Sequence, residues 1–186
     1  MDLRQTLTAA KNAQKAGDLK KAEQHYREAA AAAPGIAGIH FNLALVLTAL
    51  DQREEAVKSY REALRRRPDY LRALNNMGNL LCDLGRFSEA ASILRQVIAI
   101  DPAYSNAAAT LLVALSKLVE AEPTNAGIRV DFAAALRVSG RLDEAEAMYQ
   151  SALAIDKESV VARRGLDAPG RALGQQTAHG RHLHAP

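Results

Sequence analysis

The sequence predicts an all-α protein built from antiparallel helix pairs stacked in series. Three observations carry that expectation. Pro34, Pro68 and Pro102 stand 34 residues apart. Residues 26–30 read YREAA, 60–64 read YREAL, 94–98 read LRQVI, and a later copy at 149–153 reads YQSAL. Hydrophobic residues make up 48% of the 186-residue chain, yet aromatics only 4%, with no Trp. Such a core must be built from Ala, Leu, Val and Ile. That composition suits close helices better than strands, which favour aromatic and β-branched residues.

Counting each proline as position 32 sets units at 3–36, 37–70 and 71–104, with the late copy at 126–159. Position 8 is then small in every unit: Ala10, Ala44, Gly78 and Ala133. Position 20 is Ala22, Ala56, Ala90 and Ala145, and position 27 is Ala29, Ala63, Val97 and Ala152. Small residues there let two helices approach closely, and larger ones would overpack the contact. Position 15 holds Gly17, Asp51, Gly85 and Gly140, where a left-handed residue ends the first helix of a pair. Asp51 is the least comfortable of the four. Position 24 (Tyr26, Tyr60, Leu94, Tyr149) and position 11 (Leu47, Leu81, Leu136) fill the space between neighbours. Proline at position 32 stops the second helix, because it lacks an N–H and restricts the residue before it.

This period and this pattern of small, aromatic and proline positions resemble the tetratricopeptide repeat. Residues 73–90 carry the best single match, and the resemblance covers 3–104 and 126–159. The family's usual Trp at position 4 is replaced by Thr6, His40, Leu74 and Arg129. The resemblance implies an α-solenoid, a right-handed superhelix of nine or ten helices.

The period breaks after Pro102, since the next proline is Pro123. Residues 105–122 read as one irregular amphipathic helix, with Leu111, Leu112, Leu115, Leu118 and Val119 at helical spacing. It is either a bend in the solenoid or a homodimer contact. Residues 159–166 read as a partial cap helix, which closes the solenoid at residue 166. Residues 167–186 read as a disordered tail, so that His179, His182 and His184 are not a metal site. So weak a cap suggests a fragment or an arm of a longer protein.

Charge and cysteine content exclude several classes. The net charge is +3, and residues 160–186 alone carry four basic groups against one acidic. The body is therefore near neutral, which argues against a nucleic-acid partner. A pentatricopeptide-type RNA binder needs a basic inner face and a period of about 35. Cys82 is the one cysteine, so no intramolecular disulfide or multi-cysteine zinc site is expected. No apolar run reaches the roughly 18 residues of a membrane span, and no signal peptide is visible. Cytoplasmic residence follows as the expectation, with no membrane partner. No phosphate loop, catalytic carboxylate pair or metal-ligand spacing appears, so neither a cofactor nor catalysis is expected. The run Arg65-Arg66-Arg67 ends a helix, where cations suit the dipole. Its alternative role is contact with a phosphate or an acidic partner.

The resemblance implies that first-helix residues line a concave groove. On that basis the candidate peptide-binding residues are Arg4, Lys11, Lys15, Phe41, Asn42, Arg72, Asn75, Asn76 and Asn79. Asn42 and Asn76 share position 6, and an amide offers both a donor and an acceptor to a peptide backbone. Asparagines so placed resemble those of the repeat arm of O-linked N-acetylglucosamine transferases. The cations favour an acidic segment. A full dicarboxylate clamp is not expected, because Leu7 and Asn76 stand where the family's clamp has cations. The expected function is a non-catalytic protein–protein interaction scaffold that binds an extended peptide or helix. The alternative is a substrate-recruiting repeat arm of a larger glycosyltransferase or sulfotransferase.

Overall fold

The computed structural model describes residues 2–168, and of Ser105 the backbone alone. Residues 169–186, with His179, His182 and His184, lie outside the described residues. Among the described residues there are ten helices and no strand: α1 Leu3–Lys15, α2 Leu19–Ala32, α3 Ala37–Ala49, α4 Arg53–Arg66, α5 Leu71–Asp83, α6 Phe87–Ile100, α7 Ser105–Ala121, α8 Ala126–Val138, α9 Leu142–Ile155 and α10 Val160–Asp167. The chain divides into two compact units, Met1–Ala114 and Leu115 onward, and α7 runs from the first into the second.

In the first unit, α1/α2, α3/α4 and α5/α6 form three helix pairs, and α2 and α4 also pack on the pair that follows. Every first helix has 13 residues and every second helix 14. The reason is the same turn chemistry in each. Gly17 and Gly85 adopt φ of 78° and 71°. Each ends its helix with two hydrogen bonds. Gly17 N–H donates to Gln14 O and Asp18 N–H to Ala13 O, and the same two bonds recur at Gly85 and Arg86. Asp51 does the same work at φ 58°, where a side chain strains the backbone.

The predicted core positions are closed. Ala10, Ala22, Ala29, Ala44, Ala56, Ala63 and Ala90 are fully buried, and Tyr26, Tyr60 and Leu94 are at most 1% exposed. Each such large side chain contributes roughly 1.5–3 kcal/mol. Gly78 shows why position 8 is small. A Cβ there would lie 2.6 Å from Leu94 Cδ2. The missing Trp is replaced differently in each pair. Thr6 is buried and donates to Asp2 O, Leu74 is buried, and His40 Nε2 bonds Pro34 O at 2.9 Å.

Ion pairs join successive pairs along the second helices. Arg27 meets Glu55, and Arg61 Nη2 meets Glu89 Oε2 at 2.8 Å, one repeat later at the same two positions. Arg86 reaches back to Glu54 at 3.0 Å, and Gln52 Nε2 to Glu23 Oε2 at 3.2 Å. Exposed pairs of this kind contribute about 0.2–1 kcal/mol each.

In the second unit, α8 and α9 repeat the pattern, with Gly140 at φ 76° and Ala133, Tyr149 and Ala152 buried. α10 packs on both helices. Helix α10, Val160–Asp167, stands where the sequence predicts a cap helix over 159–166. Helix α8 starts at residue 126 and α10 at 160, one period of 34 later. Arg129 occupies the Trp position here. Its Nε donates to Ser151 Oγ at 2.8 Å, while Nη1 is buried without a partner.

Candidate functional site

The expected site residues all lie on first helices of the first unit: Arg4, Lys11 and Lys15 on α1, Phe41 and Asn42 on α3, and Arg72, Asn75, Asn76 and Asn79 on α5. The helical period places Arg4, Lys11 and Lys15 along one exposed stripe of α1. Asn42, Asn76 and Asn79 are half-buried, and Arg72 is exposed.

Phe41 and Asn75 are in the packed interior rather than on an open face, at 2% and 6% exposure. Phe41 touches Tyr70 at 4.8 Å and Tyr60 at 6.1 Å between ring centroids. A bound chain can thus reach Phe41 only through the residues that cover it. One of them is Arg72, whose Cζ stands 5.0 Å from the Phe41 ring.

The two position-6 asparagines differ. Burial pushes the Tyr60 phenol above its usual range, and hydrogen bonds with Thr48 and Asn76 act the other way. Asn76 Oδ1 accepts from Asn75 Nδ2 at 3.4 Å, so part of its amide is already used within the fold. Asn42 forms no protein hydrogen bond among the described residues, so its amide is available. In the first pair Tyr26 instead donates to Gln14 Oε1 at 3.0 Å. Asn75 Oδ1 and Asn79 Oδ1, one turn apart, are buried acceptors without a partner. Cys82 is half-buried, and its thiol is pushed up by burial and by the Asp83 charge. That favours the inert thiol over a nucleophilic thiolate.

Charge is divided between the two sets of helices. Arg27, Arg53, Arg61, Arg65, Arg66 and Arg86 each meet a carboxylate, as does Lys20, and all lie on second helices or the turns into them. Lys21 and Lys58 are the exceptions there. No carboxylate lies within ion-pair distance of Arg4, Lys11, Lys15 or Arg72 among the described residues. The first helices of the first unit thus present four cations that no carboxylate among the described residues neutralises.

Tyr70 escaped the sequence reading, and Arg67 entered it only as one of the run Arg65-Arg66-Arg67, with phosphate or acidic-partner contact as the run's alternative role. Arg67 was indistinguishable from its neighbours in a basic run. Here Arg65 and Arg66 turn to Glu62, while Arg67 Cζ lies 3.3 Å above the Tyr70 ring.

Among the described residues no group of three His, Cys, Asp or Glu side chains is placed to hold a metal, and no helix is long and apolar enough to cross a membrane.

Two tetratricopeptide-repeat family models match the chain, one over residues 7–56 and one over 35–103. Solved structures with the same fold include MamA (residue 41 to the end) from Desulfovibrio magneticus RS-1. It is 16% identical with a TM-score of 0.57, covering 85% of this chain and 97% of that one. YrrB, described as a TPR protein with an unusual peptide-binding site, is 16% identical with a TM-score of 0.55, covering 89% and 92%. The second TPR domain of human RPAP3, in complex with the HSP70 peptide SGPTIEEVD, is 22% identical with a TM-score of 0.55, covering 61% and 98%.

Proposed function

The chain belongs to the tetratricopeptide-repeat proteins, and on that premise we propose that it is a protein-interaction scaffold that holds an extended segment of a partner against α1, α3 and α5. The observation that carries this reading is the division of charge. Cations on second helices of the first unit are largely neutralised within the fold, whereas Arg4, Lys11, Lys15 and Arg72 meet no carboxylate among the described residues. An acidic polypeptide segment complements that surface. Asn42 offers a donor and an acceptor beside it, suited to a peptide backbone whatever its side chains.

Rigid stacked pairs also suit the task. A surface already ordered loses little further freedom when a partner binds. The peptide-binding proteins of similar fold support the same mode of action.

The test is capture of partners by the immobilised chain at moderate salt, with Asn42→Ala, and with Asn42→Ala plus Asn76→Ala, as comparisons. Partners should weaken with the single variant and more with the double, while the Asn42→Ala chain keeps its melting temperature. Capture that is unchanged in both variants would remove this face from the account.

A further inference from the structure

The turns that follow α2, α4, α6, α7 and α9 act as internal controls for one another. Five of them close with the same backbone bond, from the N–H of the last corner to the carbonyl of the first: Ile36 to Ala33, Tyr70 to Arg67, Tyr104 to Asp101, Asn125 to Glu122 and Ser159 to Asp156, at 3.1–3.2 Å. Where the first corner is aspartate, its carboxylate also braces the turn. Asp101 Oδ1 accepts from Ala103 N, and Asp156 Oδ1 from Glu158 N, both at 3.0 Å. An arginine has no acceptor to offer, so Arg67 forgoes that bond.

What Arg67 does instead is stack. Its guanidinium covers Tyr70, the Tyr70 ring leans on Phe41 at 39°, and Arg72 stands over Phe41 in turn. The base of this arrangement is fixed, because Phe41 is buried. Ring stacking occupies the flat face of a guanidinium and leaves its N–H edge free. Neither arginine has a carboxylate within ion-pair distance among the described residues. Asp69 is exposed in the same turn and pairs with neither.

We propose that Arg67 and Arg72 form a subsite for an anionic side chain, carboxylate or phosphate, of a polypeptide bound to the first unit. The proposal rests on the reading of that unit as a peptide-binding face. Two guanidinium groups held by rings are preorganised donors, and arginine matches both anions with paired hydrogen bonds. The subsite carries the basic first-helix surface past Arg72 onto the turn.

The experiment measures fluorescence anisotropy of the full chain with three fluorescein-labelled peptides: GSEEEDGS, a counterpart with phosphoserine in place of the central glutamate, and neutral GSQQQNGS. Both acidic probes should bind more tightly than the neutral one. Arg67→Gln and Arg72→Gln should each weaken acidic binding by about tenfold, whereas Arg65→Gln, whose partner is Glu62, should change it less than about twofold. Tighter binding of the phosphopeptide assigns the subsite to phosphate, and tighter binding of the glutamate peptide assigns it to carboxylate. Acidic probes that bind no better than the neutral one would overturn the proposal, as would an Arg65→Gln loss equal to the others. Natural-partner capture that survives both Arg67→Gln and Arg72→Gln, but is lost in Asn42→Ala, would remove the subsite and leave the scaffold reading standing.

Discussion

The Tyr149 ring lies against Gly165, so closely that a Cβ on that glycine would sit 2.5 Å from Tyr149 Cε1 and 2.6 Å from Cε2. Gly165 is the sixth residue of α10, where Asn42 and Asn76 stand in α3 and α5. The position-24 tyrosine therefore meets position 6 of the following helix. Tyr60 does so near enough to the Asn76 amide for it to favour the phenolate, and Tyr149 through its ring against Gly165.

Gly165→Ala should destabilise the second unit. In most helix interiors the change stabilises by up to about 1 kcal/mol. Here the ring is buried and must shift, so overpacking should reverse the sign, at roughly 1–3 kcal/mol. Urea unfolding checks it, and a gain in stability would contradict the packing described.

The first-to-second helix turns allow a reciprocal pair of changes. Gly85→Ala meets no steric obstacle, yet its φ is +71°, so it should cost about 1 kcal/mol through the backbone alone. Asp51→Gly should relieve the same strain and raise the melting temperature. The gain is smaller, because the exposed Asp51–Arg53 pair at 2.6 Å is lost with it. Thermal unfolding of the two variants should move in opposite directions.

The ladder of second-helix ion pairs predicts a dependence on pH. The Glu89 carboxyl is held below its usual range by its hydrogen bond to Arg86, with burial opposing and the Arg86 and Arg61 charges adding to the lowering. A carboxyl depressed in the folded state contributes stability above its ordinary value, about 4.3. That contribution fades as pH falls through the lower, folded value. Glu89→Gln should therefore be less stable than wild type at neutral pH and indistinguishable from it well below pH 4. A difference that persists in acid would assign the effect to packing instead.

Most of the fold was legible in the sequence because a repeat states its rules several times. Three prolines and four small residues at position 8 fixed the register, and Asp51 was recognisable as the odd member because its counterparts are glycines. The site was less legible. First-helix position alone put Phe41 and Asn75 on an open face. What sets their burial is the particular neighbour, Tyr70 and Arg72 over Phe41, and no periodicity reports that. Asn76 likewise looked equivalent to Asn42, and differs because Asn75 Nδ2 already donates to its Oδ1. Arg67 was hidden by its run, since the distinction from Arg65 and Arg66 lies in which way each side chain turns.

The claim that partners bind the first helices is tested most directly by two charge reversals of equal size on opposite sets of helices. Lys11→Glu with Lys15→Glu alters α1, and Lys21→Glu with Lys58→Glu alters α2 and α4, where these lysines are likewise exposed and without a carboxylate partner. Quantitative partner capture should fall by about tenfold or more for the α1 pair and stay near wild type for the other. Equal losses in the two variants, or a loss confined to the α2/α4 pair, would contradict the account.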